Sequence, residues 1–451
     1  MRKNKLLALG LAALMAASVA GCSTPSASVD DTKAAESGSD SSQSAAAGEK
    51  IFRYSNTADI ATIDPDKTNS VADATVSYHI YDGLYRNVQG ELQPATAESY
   101  EVSDDGLVYT FKLRQDTKWS DGQTVTAKDY EYGMKRLCDP AAACPASYLG
   151  AVLKNGAKVS EGELPVDELG VKALDDFTLE ITLENPADYF VSMTSMSAFM
   201  PVREDLVEKY GNEFGGSADK QVYNGPFVVS EYSNGKVELT KNPDYYDNEK
   251  ISLDGVEILT VADQTTAVSM FDAGELDLAE VPTELAAQYE GKTQSYYSGA
   301  DDYAALNHRN KYLANKNLRL AMNYAVNREE YILLTHNGLY QANQRYVLPQ
   351  VRGVDGEYGT EYPLEAFPLQ GDMDKAKEYL DTALSELGLS SASDISLKLV
   401  VSDSDTAKKE AEVVANQWKN NLGINVDINM VPYATKNALL VPDSDEYDII
   451  M

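Results

Sequence analysis

Residues that could carry hydrolytic or metal chemistry are scarce in this chain. Its 451 residues include three histidines, His79, His308 and His336, and none of them belongs to the HExxH motif of zinc peptidases. The GxSxG elbow that presents a nucleophilic serine in many hydrolases is also missing from the sequence. The sequence therefore offers no catalytic residue, and it predicts a protein that is not an enzyme and uses no metal ion or cofactor.

Two short patterns match ligand-binding loops only in part. Gly291-Lys292-Thr293 resembles the end of a phosphate-binding loop, but alanine stands where that motif requires its first glycine. The pairs Asp403/Asp405 and Asp443/Asp445 have the alternate spacing of a calcium loop without its glycine and terminal glutamate. We assign no site to either pattern.

The charge balance of the chain excludes some classes of partner. There are 71 acidic and 38 basic residues, which gives a formal net charge of −33. Such a charge argues against nucleic acid as a partner and against docking on anionic lipids by charge. Acidic surfaces mostly serve solubility, so the balance alone does not indicate a cationic ligand. A hydrophobic content of 43 % predicts a globular protein, and its length predicts two or three packed subdomains.

The N-terminus has the proportions of an export signal. A basic start is followed by an apolar run that ends in Val19-Ala20-Gly21-Cys22. Small residues before a cysteine resemble the lipobox of bacterial lipoproteins, so we expect residues 1–21 to be a signal peptide and Cys22 to be acylated. An ordinary cleavage site beside an unrelated cysteine is the alternative. Residues 22–50, rich in Ser, Ala and Asp, predict a flexible tether.

Apolar periodicity and turn residues predict the elements that would position a site. Leu107 to Leu113 alternates apolar and polar residues after an Asp-Asp-Gly turn, which is typical of a half-buried strand. Thr126 and Asp129 have the spacing of a helix N-cap with an acidic first turn. Further strands are expected at 51–56, 256–261, 303–307, 397–401, 424–431 and from 447, and further helices at 71–84, 265–273, 315–332, 373–387 and 407–421.

One long stretch carries a family resemblance. Residues 97–136, AESYEVSDDGLVYTFKLRQDTKWSDGQTVTAKDYEYGMKR, closely resemble the signature region of the bacterial extracellular solute-binding proteins of family 5. These are the oligopeptide-, dipeptide- and nickel-binding proteins of ABC importers. The parts DDG, FKLR, KWSDG and VTAKDY occur in the family's order and spacing. The resemblance extends over residues 50–451, for example in YNGPFVVSEYSNG and NKNLRLAMNYAVNREEYI.

The resemblance implies an α/β fold of the periplasmic-binding-protein-like type (type II, cluster C), a two-lobed clamshell with an extra subdomain. Lobe I would comprise residues 51–80 plus 200–300, the extra subdomain 81–199, and lobe II 301–451. Family relatives continue beyond this point, so we expect lobe II to be incomplete. The continuation would include the W-x-A-D-Y region, whose acidic residue holds the peptide amino terminus in oligopeptide binders.

The function that the resemblance implies is capture of oligopeptides outside the membrane. The protein would pass them to a membrane permease whose ATPase subunits are separate chains. It would be lipid-anchored on the outer face of the cytoplasmic membrane. Two alternatives stay open: a binder of another solute, such as a nickel chelate, haem or an oligosaccharide, and a peptide-sensing or adhesion lipoprotein. A secreted hydrolase is a third.

Ligand-contacting positions follow from the same resemblance. They would lie on both lobes and on the loop after the cysteine pair, with ordinary packing as the alternative role for each. An alanine among them would lack the contacts made by the glutamate or aromatic residue of some relatives. The expected residues are Asp59, Ile60, Tyr148, Tyr303, Ala305 and Ser402.

Cys138 and Cys144 raise a separate question. Five residues lie between them, and Pro140 and Pro145 favour a loop. In an exported protein, two nearby cysteines predict a disulfide that closes a short loop. Metal binding is the weaker interpretation because partner ligands are missing nearby. The family resemblance implies no cysteines here, so the disulfide would have a local structural role.

Overall fold

A computed structural model describes most of the chain after the expected tether. The described residues are 49–68, 70–233, 235–364, 367–441 and 444–451. The expected signal peptide, most of the expected tether and the acylation site Cys22 lie outside them. Within these ranges, every helix is too short or too polar to cross a membrane.

The strands are short and spread along the whole described chain. They are β1 Ile51–Asn56, β2 Tyr85–Val88, β3 Glu91–Pro94, β4 Ala97–Val102, β5 Val108–Leu113, β6 Val171–Asp175, β7 Thr178–Thr182, β8 Phe227–Ser233, β9 Lys236–Lys241, β10 Gly255–Thr260, β11 Ala305–Leu306, β12 Ser396–Ser402, β13 Asn425–Val431 and β14 Ile449–Ile450.

The helices lie between groups of these strands. They are α1 Val71–Ile80, α2 Ala127–Cys138, α3 Gly156–Ser160, α4 Phe190–Met193, α5 Glu204–Tyr210, α6 Gln264–Asp272, α7 Lys316–Tyr324, α8 Arg328–His336, α9 Tyr358–Glu361, α10 Met373–Leu387, α11 Asp405–Leu422 and α12 Tyr433–Ala438.

The strands form three four-stranded sheets and one hairpin among the described residues. The first sheet has the order β1-β10-β9-β8, the second β4-β5-β7-β6 and the third β11-β14-β12-β13, while β2 pairs with β3. In the first sheet β1 and β10 are parallel, and in the third β12 is parallel to both neighbours. The three sheets fall within the ranges expected for lobe I, the extra subdomain and lobe II, but the division into lobes stays a prediction.

Two hydrophobic cores hold these sheets. One joins the first and second sheets, and the other surrounds the third sheet. Trp119 is 1 % exposed in the first core, and its Nε1 donates to Asp129 Oδ2 at 3.4 Å. In β5 the side chains of Tyr109, Phe111 and Leu113 are buried, as the alternation predicts. The aromatic residues of the signature stretch therefore belong to the scaffold.

Several predicted elements are confirmed in detail. β1 and α10 have the predicted bounds, and α2 begins after Thr126 as expected. Asp129 Oδ2 accepts the Thr126 backbone amide at 2.7 Å, which is the reciprocal bond of a capping box. The local signals were strong at these places because each helix start carries its own side-chain acceptor.

The single helix expected over 315–332 is wrong, since the structure has α7 and α8 there. Asn327 begins the second helix, and its side chain accepts the Glu330 amide at 3.0 Å. The side chain of Gln417 on α11 bonds both the amide and the carbonyl of Asn327, at 2.9 and 3.1 Å. The break therefore depends on a residue 90 positions away. The helix expected from Val71 into the turn at Asp82-Gly83 is α1, which ends at Ile80 just before that turn.

One buried ion cluster fixes the segment between β1 and α1. The Arg136 guanidinium, on the last turn of α2, donates to the two carboxylate oxygens of Asp64 at 2.8 and 2.6 Å. It also donates to Asp66 Oδ2 at 2.8 Å. The exposed fractions of these side chains are 9 % for Arg136, 2 % for Asp64 and 0 % for Asp66. Because α2 packs on β6 and β7, the cluster ties the loop after β1 to the second sheet.

This cluster has one cation for two buried carboxylates. Burial raises the pKa of Asp66 to about 7, and the charge of Asp64 adds to the rise while Arg136 opposes it. Asp66 Oδ1 has no hydrogen-bond partner among the described residues. Since a single guanidinium cannot compensate both charges fully, Asp66 keeps its proton to higher pH than a solvated carboxyl group.

The disulfide predicted between Cys138 and Cys144 is not formed in the structure, which has two free, buried thiols. Cys144 Sγ donates to the Arg136 carbonyl oxygen at 3.4 Å. Cys138 Sγ instead faces Gly150, where an added Cβ would collide with it. Burial raises the pKa values of the two thiols to about 11 and about 12.

We expect Asp66→Asn to remove a pH dependence of stability. The folded-state pKa of Asp66 lies above its ordinary value of 3.8, so the folded protein holds a proton that the unfolded chain releases between about pH 4 and 7. Its contribution to the free energy of unfolding therefore declines as pH rises through this window, by up to about 1.4 kcal/mol per pH unit. Urea titrations from pH 4.5 to 8 measure this slope.

The control for that experiment is Asp104→Asn, on the exposed turn before β5. It should keep the wild-type slope, whereas Asp66→Asn should flatten it. Equal slopes in all three proteins would show that Asp66 is ionised throughout.

We expect the two thiols of the subdomain to be unreactive until the protein unfolds. At pH 8 a thiol with a pKa of about 11 has roughly a thousandth of its population as thiolate, and burial blocks access as well. Alkylation followed by intact mass measurement should add no label at Cys138 or Cys144 in the native protein. Both should be labelled after denaturation without reductant. Labelling that requires reductant would instead demonstrate the disulfide.

Candidate functional site

The third sheet brings three of the expected residues to one edge. β12 and β14 run parallel, and β11 runs against them. Ala305 pairs with Ile450, which pairs with Val400, so Ala305 lies two strands, or roughly 10 Å, from β12. Ser402 ends β12 and Tyr303 precedes β11. Both therefore lie at the carboxyl edge of the sheet, where ligands of open α/β sheets bind.

Asp59 and Ile60 lie on the loop that leaves β1 at the carboxyl edge of the first sheet. Asp59 is exposed and Ile60 is half-buried. The Tyr232 hydroxyl donates to the Ile60 carbonyl oxygen at 2.9 Å. The buried Asp73 carboxylate, in the first turn of α1, accepts the Ala61 amide at 2.7 Å. These bonds hold the backbone of the loop while the Asp59 side chain faces solvent.

Tyr148 lies apart from these two edges. It is 73 % exposed and belongs to the 3-10 segment Ser147–Val152. The loop before it touches the loop after β1, because Lys67 Nζ donates to the Ala143 carbonyl oxygen at 3.3 Å. In the described part of the chain, no hydrogen bond or ring contact joins Tyr148 to the other expected residues. Its role stays a prediction.

The structure adds a group of residues that the sequence did not indicate. Tyr340, on the loop after α8, stacks on the His336 ring with centroids 4.0 Å apart and planes at 6°. His336 is 5 % exposed, and its Nε2 lies 2.9 Å from Glu410 Oε1. Tyr340 itself is 54 % exposed. A buried, hydrogen-bonded histidine therefore fixes one face of a solvent-exposed aromatic ring.

A segment that leaves the first sheet extends toward Tyr340. Leu278 forms a parallel bridge with Tyr54 of β1, so the chain beyond it runs toward the carboxyl edge of the first sheet. Glu280 follows two residues later and accepts hydrogen bonds from the Tyr296 hydroxyl at 3.3 Å and from Gln264 at 2.9 Å. Glu280 thus lies at the edge that also carries the loop of Asp59 and Ile60.

Hydrogen bonds join the segment of Glu280 to the loop of Tyr340. The Tyr296 hydroxyl donates to Glu280, and Gln341, next to Tyr340, donates to the hydroxyl of the adjacent Tyr297 at 2.9 Å. Burial raises the pKa of the Tyr340 hydroxyl, and the negative charges of Asp302, Glu280 and Glu410 raise it further. Burial likewise raises the pKa of Asp302, with Glu410 adding to the rise. The chain that leaves the first sheet therefore meets the loop of Tyr340.

Four more tyrosines complete this region. Tyr303 meets Tyr346 edge-to-face with ring centroids 5.1 Å apart, and Gln341 donates to the Tyr297 hydroxyl at 2.9 Å. Each ring is at least half exposed although a neighbour orients it. We call the five together the tyrosine surface: Tyr296, Tyr297, Tyr303, Tyr340 and Tyr346, with exposed fractions of 76, 69, 54, 54 and 72 %.

The chemistry of this surface is recognition. Tyrosine combines a large flat apolar area with a hydroxyl that donates and accepts hydrogen bonds. In the described residues, no group of three or more His, Cys, Asp or Glu side chains could hold a metal ion. Sequence reasoning missed four of the five tyrosines. The sequence did contain a signal: these tyrosines occur between residues 296 and 346, in segments without the apolar periodicity of a buried helix or strand.

A concavity of about 360 Å³ lies away from the tyrosine surface. It borders Leu306, the carboxyl end of β11, and therefore the opposite edge of the third sheet. The expected ligand-contacting residues are absent from its lining, which consists of Leu306, His308, Lys316, Arg319, Leu320 and Asn323.

Comparison with known proteins identifies the family of this chain. Residues 91–451 match the family model described as bacterial extracellular solute-binding proteins, family 5 Middle. The oligopeptide-binding protein OppA of Bacillus subtilis is 31 % identical over 378 residues, covering 82 % of this chain and 68 % of that protein. The dipeptide-binding protein DppE of Bacillus subtilis is 31 % identical over 432 residues, covering 95 % of this chain and 77 % of that protein.

Solved structures show the same architecture. The structure of Listeria monocytogenes OppA bound to peptide superimposes with a TM-score of 0.73 at 29 % identity, covering 90 % of this chain and 81 % of that one. The expected type II periplasmic-binding-protein-like fold is thereby confirmed. Because the family model covers most of the chain and the fold agrees, this protein belongs to the bacterial extracellular solute-binding proteins of family 5.

Proposed function

We infer that this protein captures oligopeptides outside the membrane and delivers them to the permease of an ABC importer. The observation that carries the proposal is the convergence of two sheet edges on the tyrosine surface, where Glu280 from the first sheet and Asp302 beside the third act on Tyr340. Relatives named for oligopeptide and dipeptide binding, and a relative solved with peptide, support it.

The geometry supports binding of an extended peptide. Asp59 and Ile60 border the first edge, and Tyr303, Ala305 and Ser402 border the second. A ligand between them would bond the protein mainly through its backbone, which tolerates varied side chains. Closure of one lobe on the other would complete the contacts, so affinity would reflect the closed state.

The remaining parts of the proposal concern the cellular setting. The protein would bind its ligand without cleaving it, and the ATPase would be a separate subunit of the importer. Acylation at Cys22 would anchor it to the outer face of the cytoplasmic membrane, with residues 22–50 as a tether. Both regions lie mostly outside the described residues. The lobes would comprise residues 51–80 plus 200–300 and residues 301–451, with 81–199 as the extra subdomain.

Calorimetric titration of the full chain with a mixed pool of tri- to pentapeptides tests the proposal. We expect saturable heat, a higher melting temperature and peptides that mass spectrometry recovers intact. Absence of both heat and thermal shift with every pool would contradict peptide capture and favour an adhesion or sensing role. Shortened peptides in the mixture would instead indicate a hydrolase.

We expect Tyr303→Ala to weaken peptide binding by about 1 kcal/mol, or roughly fivefold in Kd. The ring is half exposed at the sheet edge and oriented by Tyr346, so its loss removes contact area that is already positioned. Tyr189→Ala is the matched control, because Tyr189 is 64 % exposed on the subdomain. Calorimetry with one binding peptide measures both variants. Equal affinities in the two would place the ligand elsewhere.

A further inference from the structure

The tyrosine surface has an open aromatic face at its centre. One face of the Tyr340 ring is covered by His336, which stacks at 4.0 Å, yet 54 % of the residue is exposed. The opposite face is therefore available to a ligand. An electron-rich ring face attracts cations, and a planar guanidinium also stacks on it. The buried contact of His336 with Glu410 keeps this platform in place without a ligand.

Most charged groups around the platform are carboxylates, although Lys436 also acts on Asp302. The carboxylates of Asp302, Glu280 and Glu410 all act on Tyr340. Within the described residues, no lysine or arginine nitrogen lies within 4.0 Å of a carboxylate oxygen of Asp302, Glu280 or Glu410, and the salt-bridge partner of Glu410 there is His336. An exposed aromatic surface with this field complements a ligand that carries both apolar area and positive charge.

The neighbouring cations are directed to backbone carbonyls. Lys409 Nζ donates to the Thr335 carbonyl oxygen at 3.4 Å, and Lys436 Nζ donates to that of Met451 at 3.0 Å. Their side chains therefore do not compensate the carboxylates by direct pairing. Asp302 is exposed, so a ligand can reach its carboxylate.

We propose that the tyrosine surface selects peptides that carry a cationic side chain, above all arginine, which would stack on the open face of Tyr340 between Asp302 and Glu280. This inference rests on the proposed function and adds the class of peptide. Peptides with neutral or acidic side chains at that position would bind more weakly, since they leave the carboxylates uncompensated.

Calorimetry with three matched tetrapeptides tests the inference. They differ at one position, which holds arginine, its neutral isostere citrulline, or glutamate. We expect the arginine peptide to bind about tenfold more tightly than the citrulline peptide, and the glutamate peptide to bind most weakly. The arginine preference should shrink as salt concentration rises.

Variants distinguish the contribution of the Tyr340 ring to the arginine preference from that of the Asp302 carboxylate. Tyr340→Leu and Asp302→Asn should each reduce the ratio of citrulline to arginine Kd to about three or less, because each removes one of the groups that favour the cationic side chain. Tyr340→Phe should keep the ratio because it keeps the ring face. Tyr189→Leu and Asp188→Asn, at exposed positions of the subdomain, are the matched controls and should leave it unchanged. Thermal melts verify that each variant is folded.

The outcomes distinguish this inference from the function on which it rests. Equal affinity of the wild-type protein for the arginine and citrulline peptides would overturn cationic selection and leave peptide capture standing. A preference that survives both Tyr340→Leu and Asp302→Asn would overturn the assigned position. Failure of all three peptides and of the mixed pools would remove the proposed function together with the inference.

Discussion

The arrangement of the first two sheets depends on one guanidinium. Arg136 leaves α2 and holds Asp64 and Asp66 at the start of the segment that leads into α1. An unpaired charge at this depth would be strongly destabilising, so the three side chains must assemble together or not at all. The segment that carries Asp59 and Ile60 is therefore also held by α2, which packs on the second sheet.

Parallel strand pairing sets the second constraint. In the first sheet β1 and β10 are parallel, and in the third β12 is parallel to β13 and β14, so the loops that follow these strands gather at one edge of each sheet. Irregular chain at these edges is free to carry aromatic and acidic side chains that no core requires. The tyrosine surface occupies such chain, which explains why rings of this size stay exposed there.

Local signals were enough to predict much of the scaffold. The Thr126 cap, the alternation of β5 and the bounds of α10 each follow from a few adjacent residues. The split between α7 and α8 was missed although Asn327 and Glu330 have the spacing of a cap, and a distant glutamine adds to it by bonding the backbone at Asn327. The free thiols escaped prediction because spacing along the sequence does not show side-chain direction: Cys144 bonds the Arg136 carbonyl oxygen, and Cys138 faces Gly150. Tyr303 followed from a resemblance, whereas Tyr340 depends on a buried histidine beneath it.

The contact between Gln417 and Asn327 has a mechanical consequence. The Gln417 side-chain amide both accepts from the Asn327 amide and donates to the Asn327 carbonyl oxygen, as a paired backbone peptide group would. Trp418 Nε1 also donates to the Met322 carbonyl oxygen at 3.0 Å. Together these hydrogen bonds attach α11 firmly to the junction of α7 and α8. We therefore expect His336, at the end of α8, to move together with α11. In a hinge motion, Tyr340 and the third sheet would then move as one rigid body. Release of the ligand would require this body to separate from Glu280, while the stack of Tyr340 on His336 would stay intact.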